Sequence, residues 1–184
     1  MIGRAAEALM NLIAGMDGWT IMAAGFLTTV GVGELKCALA LGLDEDEKAM
    51  MTDPELLHYA RQILLSDVDL DGQKRLKQSH VVVLGLGGLG SPLSLYLGAA
   101  GVGRLTLVDG DTVDETNLHR QVIHSQKSLN QLKVESARER ILGINPWIQI
   151  DGLSVHADYQ NVDDAISSAQ CIADCTDRFA TRFL

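Results

Sequence analysis

From residue 51 onward the apolar positions alternate between two rhythms. The runs His80–Leu84, Arg104–Asp109, Ile148–Val155 and Cys171–Asp174 are short, apolar or alternating, and of strand length. Between them, Pro92–Ala100, Gln131–Leu142 and Val162–Ser168 read as helices; in the second, Val134, Ala137, Arg138 and Ile141 fall along one side. Gly101 and Gly103 stop the first of these helices, and Asn145-Pro146 breaks the second. Strand and helix in strict alternation predict a parallel sheet with helices on both faces. Ahead of the first strand, Asp53 and Pro54 open a helix whose apolar face is Leu56, Leu57, Ala60, Ile63 and Leu64, and Asp71-Gly72 reads as a turn.

Residues 1–50 follow a different pattern. They are rich in Ala, Leu, Met and Gly and close on the acidic run Asp44-Glu45-Asp46-Glu47. Ala5, Leu9, Leu12 and Ile13 predict an amphipathic helix over Arg4–Ala14, and Gly31-Val32-Gly33-Glu34-Leu35-Lys36 predicts a turn into a second helix ending near Gly42. The arrangement resembles a helix-hairpin-helix; the plainer reading is a packing or oligomerisation element. Two segments are therefore expected: 1–50, helical, and 51–184, an α/β domain. The chain stops just after its fourth predicted strand, so the second segment reads as the front half of a larger sheet.

Charge and cysteine content narrow the function classes. A net charge of -9 argues against a nucleic-acid groove. Cys37, Cys171 and Cys175 are too few for a disulfide framework, and the last two have the wrong separation for a Cys-x-x-Cys zinc knuckle, so they read as small core residues. The Thr20–Val32 run is too short to span a bilayer, and Glu7, Asn11 and Asp17 interrupt any secretory signal; a cytoplasmic location and no membrane partner are expected.

The chemistry begins at the end of the first strand. Gly85-Leu86-Gly87-Gly88-Leu89-Gly90 joins a strand to a helix start, and Gly85, Gly87 and Gly90 fit the dinucleotide fingerprint. Such a turn lets backbone amides approach a phosphate, while Asp109, at the end of the next strand, suits ribose hydroxyls. Those features alone fit a nicotinamide, flavin or ATP site equally. The run that follows, Asp109-Gly110-Asp111, then Asn117, Arg120 and Lys133, is harder to explain in a hydride-transfer enzyme. An amide, a guanidinium and an ammonium gathered after the second strand suit a triphosphate, whose substitution at the α-phosphate builds negative charge. A solvated stretch with ordinary basic residues is the alternative. Asp177 ends the fourth strand on the same rim, where a carboxylate beside a triphosphate calls for bridging Mg²⁺; it also suits a helix N-cap.

Taken together, Arg61-Gln62-Ile63-Leu64, Gly85–Ser91, Ala100–Gly103, Val108–Val113, Asn117–Gln121, Lys133-Val134-Glu135 and Asp174–Asp177 resemble the ThiF/MoeB family of ubiquitin-activating-enzyme-like adenylyltransferases. The resemblance covers essentially all of residues 51–184. It implies a Rossmann-like doubly wound sheet and ATP-dependent adenylation of the C-terminal Gly-Gly carboxylate of a ubiquitin-fold sulfur carrier of the molybdopterin or thiamine pathway. It places Gly85, Gly87, Gly88 and Gly90 at the phosphates, with Asp109 at the ribose and Asp111 beside it. Asn117, Arg120 and Lys133 stabilise the transferring group, and Asp177 holds Mg²⁺. Arg61 matches an arginine that this family supplies from the opposite subunit, so a homodimer is implied. Three departures stand out: His119 replaces the usual glutamine, Arg178 follows the metal aspartate where asparagine is usual, and the chain ends before the family's paired Cys-x-x-Cys zinc site. Zinc is not expected here. The competing readings are an NAD-binding oxidoreductase domain, resting on the glycines and Asp109, and a non-catalytic nucleotide-binding or dimerisation remnant.

Overall fold

The computed structural model describes residues 35–36, 51–158, 161 and 163–177. The strands are β1 (Leu35–Lys36), β2 (His80–Leu84), β3 (Arg104–Val108), β4 (Gln149–Leu153) and β5 (Cys171–Asp174). The helices are α1 (Asp53–His58), α2 (Ala60–Ile63), α3 (Asp69–Gln78), α4 (Gly90–Ala100), α5 (Lys133–Leu142) and α6 (Asp163–Ser167). The sheet order is β1-β5-β2-β3-β4. Strands β2 to β5 are mutually parallel, with Val81 opposite Leu105 and Cys171, and Leu105 opposite Ile150. The expected α/β doubly wound sheet is present.

The central strand explains its own sequence. β2 is buried along its whole length because helices cover both faces, which favours an unbroken apolar run over alternation. Val81 and Val83 point to one face, into a core with Leu105, Leu107, Ile150 and the α5 residues Val134, Ala137 and Ile141. Val82 and Leu84 point to the other, joining Val108 with Ile166 of α6. Cys175 is buried and Cys171 partly so, as small core residues should be; burial, aided by Asp174, pushes the Cys175 thiol up to about 12, so it stays protonated. Among the described residues no helix is long and apolar enough to cross a membrane.

Several expectations need correction. Leu35–Lys36, predicted as part of a turn into a helix, is a two-residue strand antiparallel to β5. The predicted Arg4–Ala14 helix lies outside the described residues. The helix expected from Asp53 is two short helices meeting at Tyr59, and its cap is Thr52, whose N–H donates to Glu55 Oε2 at 2.9 Å. Its expected apolar face is only partly covered: Leu56, Ala60 and Ile63 are half-buried, Leu57 and Leu64 are 79% and 77% exposed, and Glu55 and Tyr59 face inward. Asp71-Gly72 is not a turn but lies inside α3. Asp69, the first residue of α3 and at φ 49, accepts the Asp71 and Gly72 amides on Oδ1, satisfying donors of the helix's first turn.

Candidate functional site

The glycine loop is held in place from three sides. Gly85 sits at φ 88, where a side chain would be strained, and donates its N–H to the Val108 carbonyl at 2.7 Å. A side chain at Gly90 would begin 1.8 Å from the Gly85 carbonyl oxygen, so only glycine lets α4 start so close to the end of β2. Asp109 fastens the loop from the next strand. Its Oδ2 accepts the Leu86 N–H at 2.7 Å and its Oδ1 the Asp111 N–H at 2.8 Å. The N–H groups of Gly87, Gly88 and Leu89 have no partner among the described residues. Three such amides at the head of an 11-residue helix form a cradle for an anion.

The segment from Asp111 to Lys133 carries the cations back to that cradle. Val113 and Asn130 are joined to their opposite partners by the bonds Val113 N–H to Gln131 and Asn130 N–H to Val113, which close the segment into a loop. Closure returns Lys133 to Asp111: its N–H donates to the Asp111 carbonyl at 3.0 Å and its ammonium to Asp111 Oδ2 at 2.8 Å. Lys133 is buried and Asp111 is exposed. Within the loop, Asp114 caps the short turn Glu115–Asn117 by accepting the Thr116 N–H. That turn positions Asn117, whose Oδ1 accepts from Arg120 Nη2 at 2.7 Å. Arg120 then lies across Gly88, with its Cδ 3.6 Å from the point where a Gly88 side chain would begin. His119 leaves the cradle free; its Nε2 is 3.4 Å from Arg120 Nη1.

The end of β5 reaches the loop from the other side. The Cys175 N–H donates to the Leu84 carbonyl, and the Cys175 carbonyl and Thr176 methyl both lie within 3.3 Å of where a Gly85 side chain would start. Asp177 follows directly, exposed, with no hydrogen-bond partner among the described residues. Arg61 does not join this group. It is exposed on α2, which docks through Gln62 Nε2 on the Ala100 carbonyl at the opposite end of α4. That end is roughly 15 Å from Gly90 along the helix. Arg178, flagged as a departure from the family pattern, lies outside the described residues.

Lys133 is thus no ordinary surface lysine, while Arg120 is exposed but aimed along the glycine loop. The sequence reading assigned nothing to Gln121, His124 or Ser136, yet all three are buried in this segment. The free amides and the Arg120 guanidinium beside them can bind a phosphate, and Lys133 is linked to the same loop through Asp111 and Asp109.

The sequence pattern of the ThiF family matches residues 59–184. The chain belongs to the ThiF family. It is 47% identical over 134 residues to the molybdopterin-synthase adenylyltransferase of Escherichia coli (strain K12), covering 73% of this chain and 54% of that protein. It is 42% identical over 132 residues to the sulfur carrier protein ThiS adenylyltransferase of the same strain, covering 72% and 53%. Among solved structures, the E. coli tRNA N6-threonylcarbamoyladenosine dehydratase TcdA, in complex with ATP, superposes with TM-score 0.67 at 25% identity, covering 72% of this chain and 54% of that one. The chain spans about half the length of the curated ThiF-family relatives it matches.

Proposed function

We propose that this chain supplies the ATP-binding and adenylating half of a ThiF-family adenylyltransferase that activates the C-terminal carboxylate of a ubiquitin-fold sulfur carrier. The carrier's carboxylate oxygen attacks the α-phosphorus of ATP. The bond to the bridging oxygen of the β-phosphate breaks, pyrophosphate leaves with that electron pair, and an acyl-adenylate remains. The observation behind this reading is the placement of Arg120 across Gly88, beside the unpaired amides of the same loop. Hydride transfer develops no new charge at a phosphate for that guanidinium to stabilise, whereas substitution at the α-phosphate builds charge there and on departing pyrophosphate.

Each residue then has a defined task. The Gly87, Gly88 and Leu89 amides bind phosphate oxygens, and Gly85 and Gly90 shape the turn that presents them. Asp109 holds that turn through Leu86, and its remaining lone pairs accept from ribose hydroxyls. Asn117 aims Arg120 at the transferring phosphoryl group. Lys133 exchanges its bond to Asp111 for one to the triphosphate, and Asp111 keeps the ammonium in position before ATP arrives.

Asp177 is the residue suited to Mg²⁺. Among the described residues no group of three or more metal-ligating side chains exists, and Mg²⁺ commonly needs just one or two carboxylates with phosphate oxygens and water, so a lone unpaired carboxylate on this rim fits. The ion would supply charge neutralisation on the phosphates. Arg61, distant from its own chain's loop and flanked by exposed Leu57 and Leu64, is suited to completing the site of a second copy. We place the reaction in the cytoplasm, where ATP and sulfur carriers meet.

Carrier-dependent exchange of labelled pyrophosphate into ATP tests the reading, using the sulfur carriers of both pathways. Exchange that Asp177→Ala abolishes is the expected result. Exchange indifferent to Asp177→Ala removes that residue from the chemistry, and tight NAD binding without ATP binding in calorimetry overturns the reading itself.

A further inference from the structure

At the carboxyl ends of the strands, the segment after β4 packs on the loop that carries Asp109 and Asp111. The Asp109 N–H donates to the Leu153 carbonyl at 3.1 Å, which joins the ends of β3 and β4. Just beyond Leu153, His156 lies against Gly110. Its backbone nitrogen, Nδ1 and Cε1 all sit 2.9 Å from where a Gly110 side chain would begin, so glycine is what admits the imidazole there. The segment is also held from its far side. The His156 carbonyl accepts from Asn161 Nδ2 at 2.9 Å. Asp158 and Asn161 exchange two more bonds, the backbone N–H of each donating to the side-chain oxygen of the other. The other ring nitrogen, Nε2, faces Asp111 Oδ1 at 3.8 Å, close enough for an ion pair and too far for a hydrogen bond. Asp111 Oδ2 meanwhile accepts from the Lys133 ammonium at 2.8 Å. One carboxylate thus stands between an ammonium on a long stem and an imidazole fixed at its backbone and along one edge.

We propose that His156 is a positioning residue that receives the Asp111 carboxylate when Lys133 turns to the phosphates. The ammonium leaves Oδ2, the carboxylate closes about 1 Å on the ring, and the Nε2–H donates to Oδ1. An uncharged imidazole with its proton on Nε2 is sufficient. The new bond offsets the loss of the ammonium and keeps the carboxylate from following it toward the triphosphate, which like charge would oppose. The inference rests on the ATP reading for the event that moves Lys133; the handover itself needs no nucleotide.

The test uses the full chain. Without any ligand, Lys133→Met imitates the departure of the ammonium, and Lys133→Gln does the same should the methionine variant not fold. Either change should move the ring-nitrogen NMR signals of His156, and should leave them in place when made in an Asp111→Asn chain. In the unmutated chain, Mg²⁺-ATP should move the same signals and adenosine should not. His156→Ala should weaken Mg²⁺-ATP binding about threefold, the scale of an ion pair whose two side chains are both 54% exposed, with adenosine affinity unchanged. His156→Gln, which keeps a donor, should restore most of the loss, and His156→Ala should cost nothing in an Asp111→Asn chain. Ring signals that stay in place in the Lys133 variants overturn the inference whether or not nucleotide binds. A His156→Ala loss that persists beside Asp111→Asn, or falls equally on adenosine, also overturns it, since the imidazole then acts on the nucleoside directly. Ring signals that move in a chain that binds no ATP uphold the handover and reject the ATP reading alone.

Discussion

His80 and His124 are both buried histidines, one at the amino end of β2 and one in the segment after β3, and their surroundings treat them differently. At the amino end, His80 begins β2 with both ring nitrogens engaged, Nε2 with Thr106 Oγ1 at 2.8 Å and Nδ1 with the Ser168 carbonyl at 3.1 Å. Its neighbours are equally complete. Asn145 donates to Tyr59 Oη and to the Gly98 carbonyl, and Gln62 and Gln73 both donate to the Ala100 carbonyl. At the carboxyl end, His124 and Gln121 each leave an atom unpaired, and among the described residues three loop amides and the exposed Asp177 have no partner. One end closes on itself and contributes stability. The other withholds donors that the fold could have satisfied, which is how a binding rim differs from a structural one.

Mutations at the two ends should separate cleanly into activity and stability. The largest effect belongs to Arg120→Ala and Asp177→Ala, each expected to cut pyrophosphate exchange by about a hundredfold or more. Both side chains are exposed, so the urea midpoint should stay where it is. A parallel loss of stability would erase the distinction between the ends. Arg61 sharpens it further, because it lies at neither the loop nor the rim of its own chain. Inactive Arg61→Ala and inactive Asp177→Ala chains, mixed, should regain about a quarter of wild-type exchange, since half of randomly paired dimers hold one intact site of two. No recovery would tie Arg61 to its own chain.

Asn145→Ala addresses the amino end directly. It removes hydrogen bonds to Tyr59 Oη and Gly98 and leaves the Gly98 carbonyl buried, so unfolding in urea should lose about 2–3 kcal/mol. ATP affinity should be unchanged, because nothing at the loop depends on that contact. A fall in affinity larger than the fall in stability would show that the two ends communicate along α4.

The same division explains what the sequence revealed. His80–Leu84 was legible because burial on both faces demands an unbroken apolar run. Gly85, Asp109, Arg120 and Lys133 were legible because anion chemistry restricts residue type at fixed spacing. Helix α3 was hidden, since Asp71-Gly72 has turn chemistry and its helical state depends on the Asp69 carboxylate supplying a cap. Leu57 and Leu64 misled because helical spacing marks an apolar face without saying whether this chain covers it. His124 and Gln121 were invisible: a lone buried polar residue in an irregular loop has no period, and its partner Ser136 is twelve residues away from His124.

The smallest effect is a pH dependence, and both buried histidines contribute to it. Burial is the leading cause that lowers the pKa of His80, with Arg104 adding to it and the Ser168 carbonyl and Asp151 opposing. In the unfolded chain the same group titrates near 6.5. Between the folded value and 6.5 the unfolded state binds more protons, so stability is complete above 6.5 and declines as the solution is acidified. The slope cannot exceed about 1.4 kcal/mol per pH unit for each histidine. His124 is depressed as well and adds a slope of the same sign. His80→Gln, which keeps a polar partner for Thr106 without titrating, should therefore lessen the slope measured by urea unfolding between pH 5.5 and 7.5, leaving ATP affinity flat. His124→Asn should lessen it further, in the same direction. A slope that neither variant changes would mean that neither ring is depressed in the folded chain.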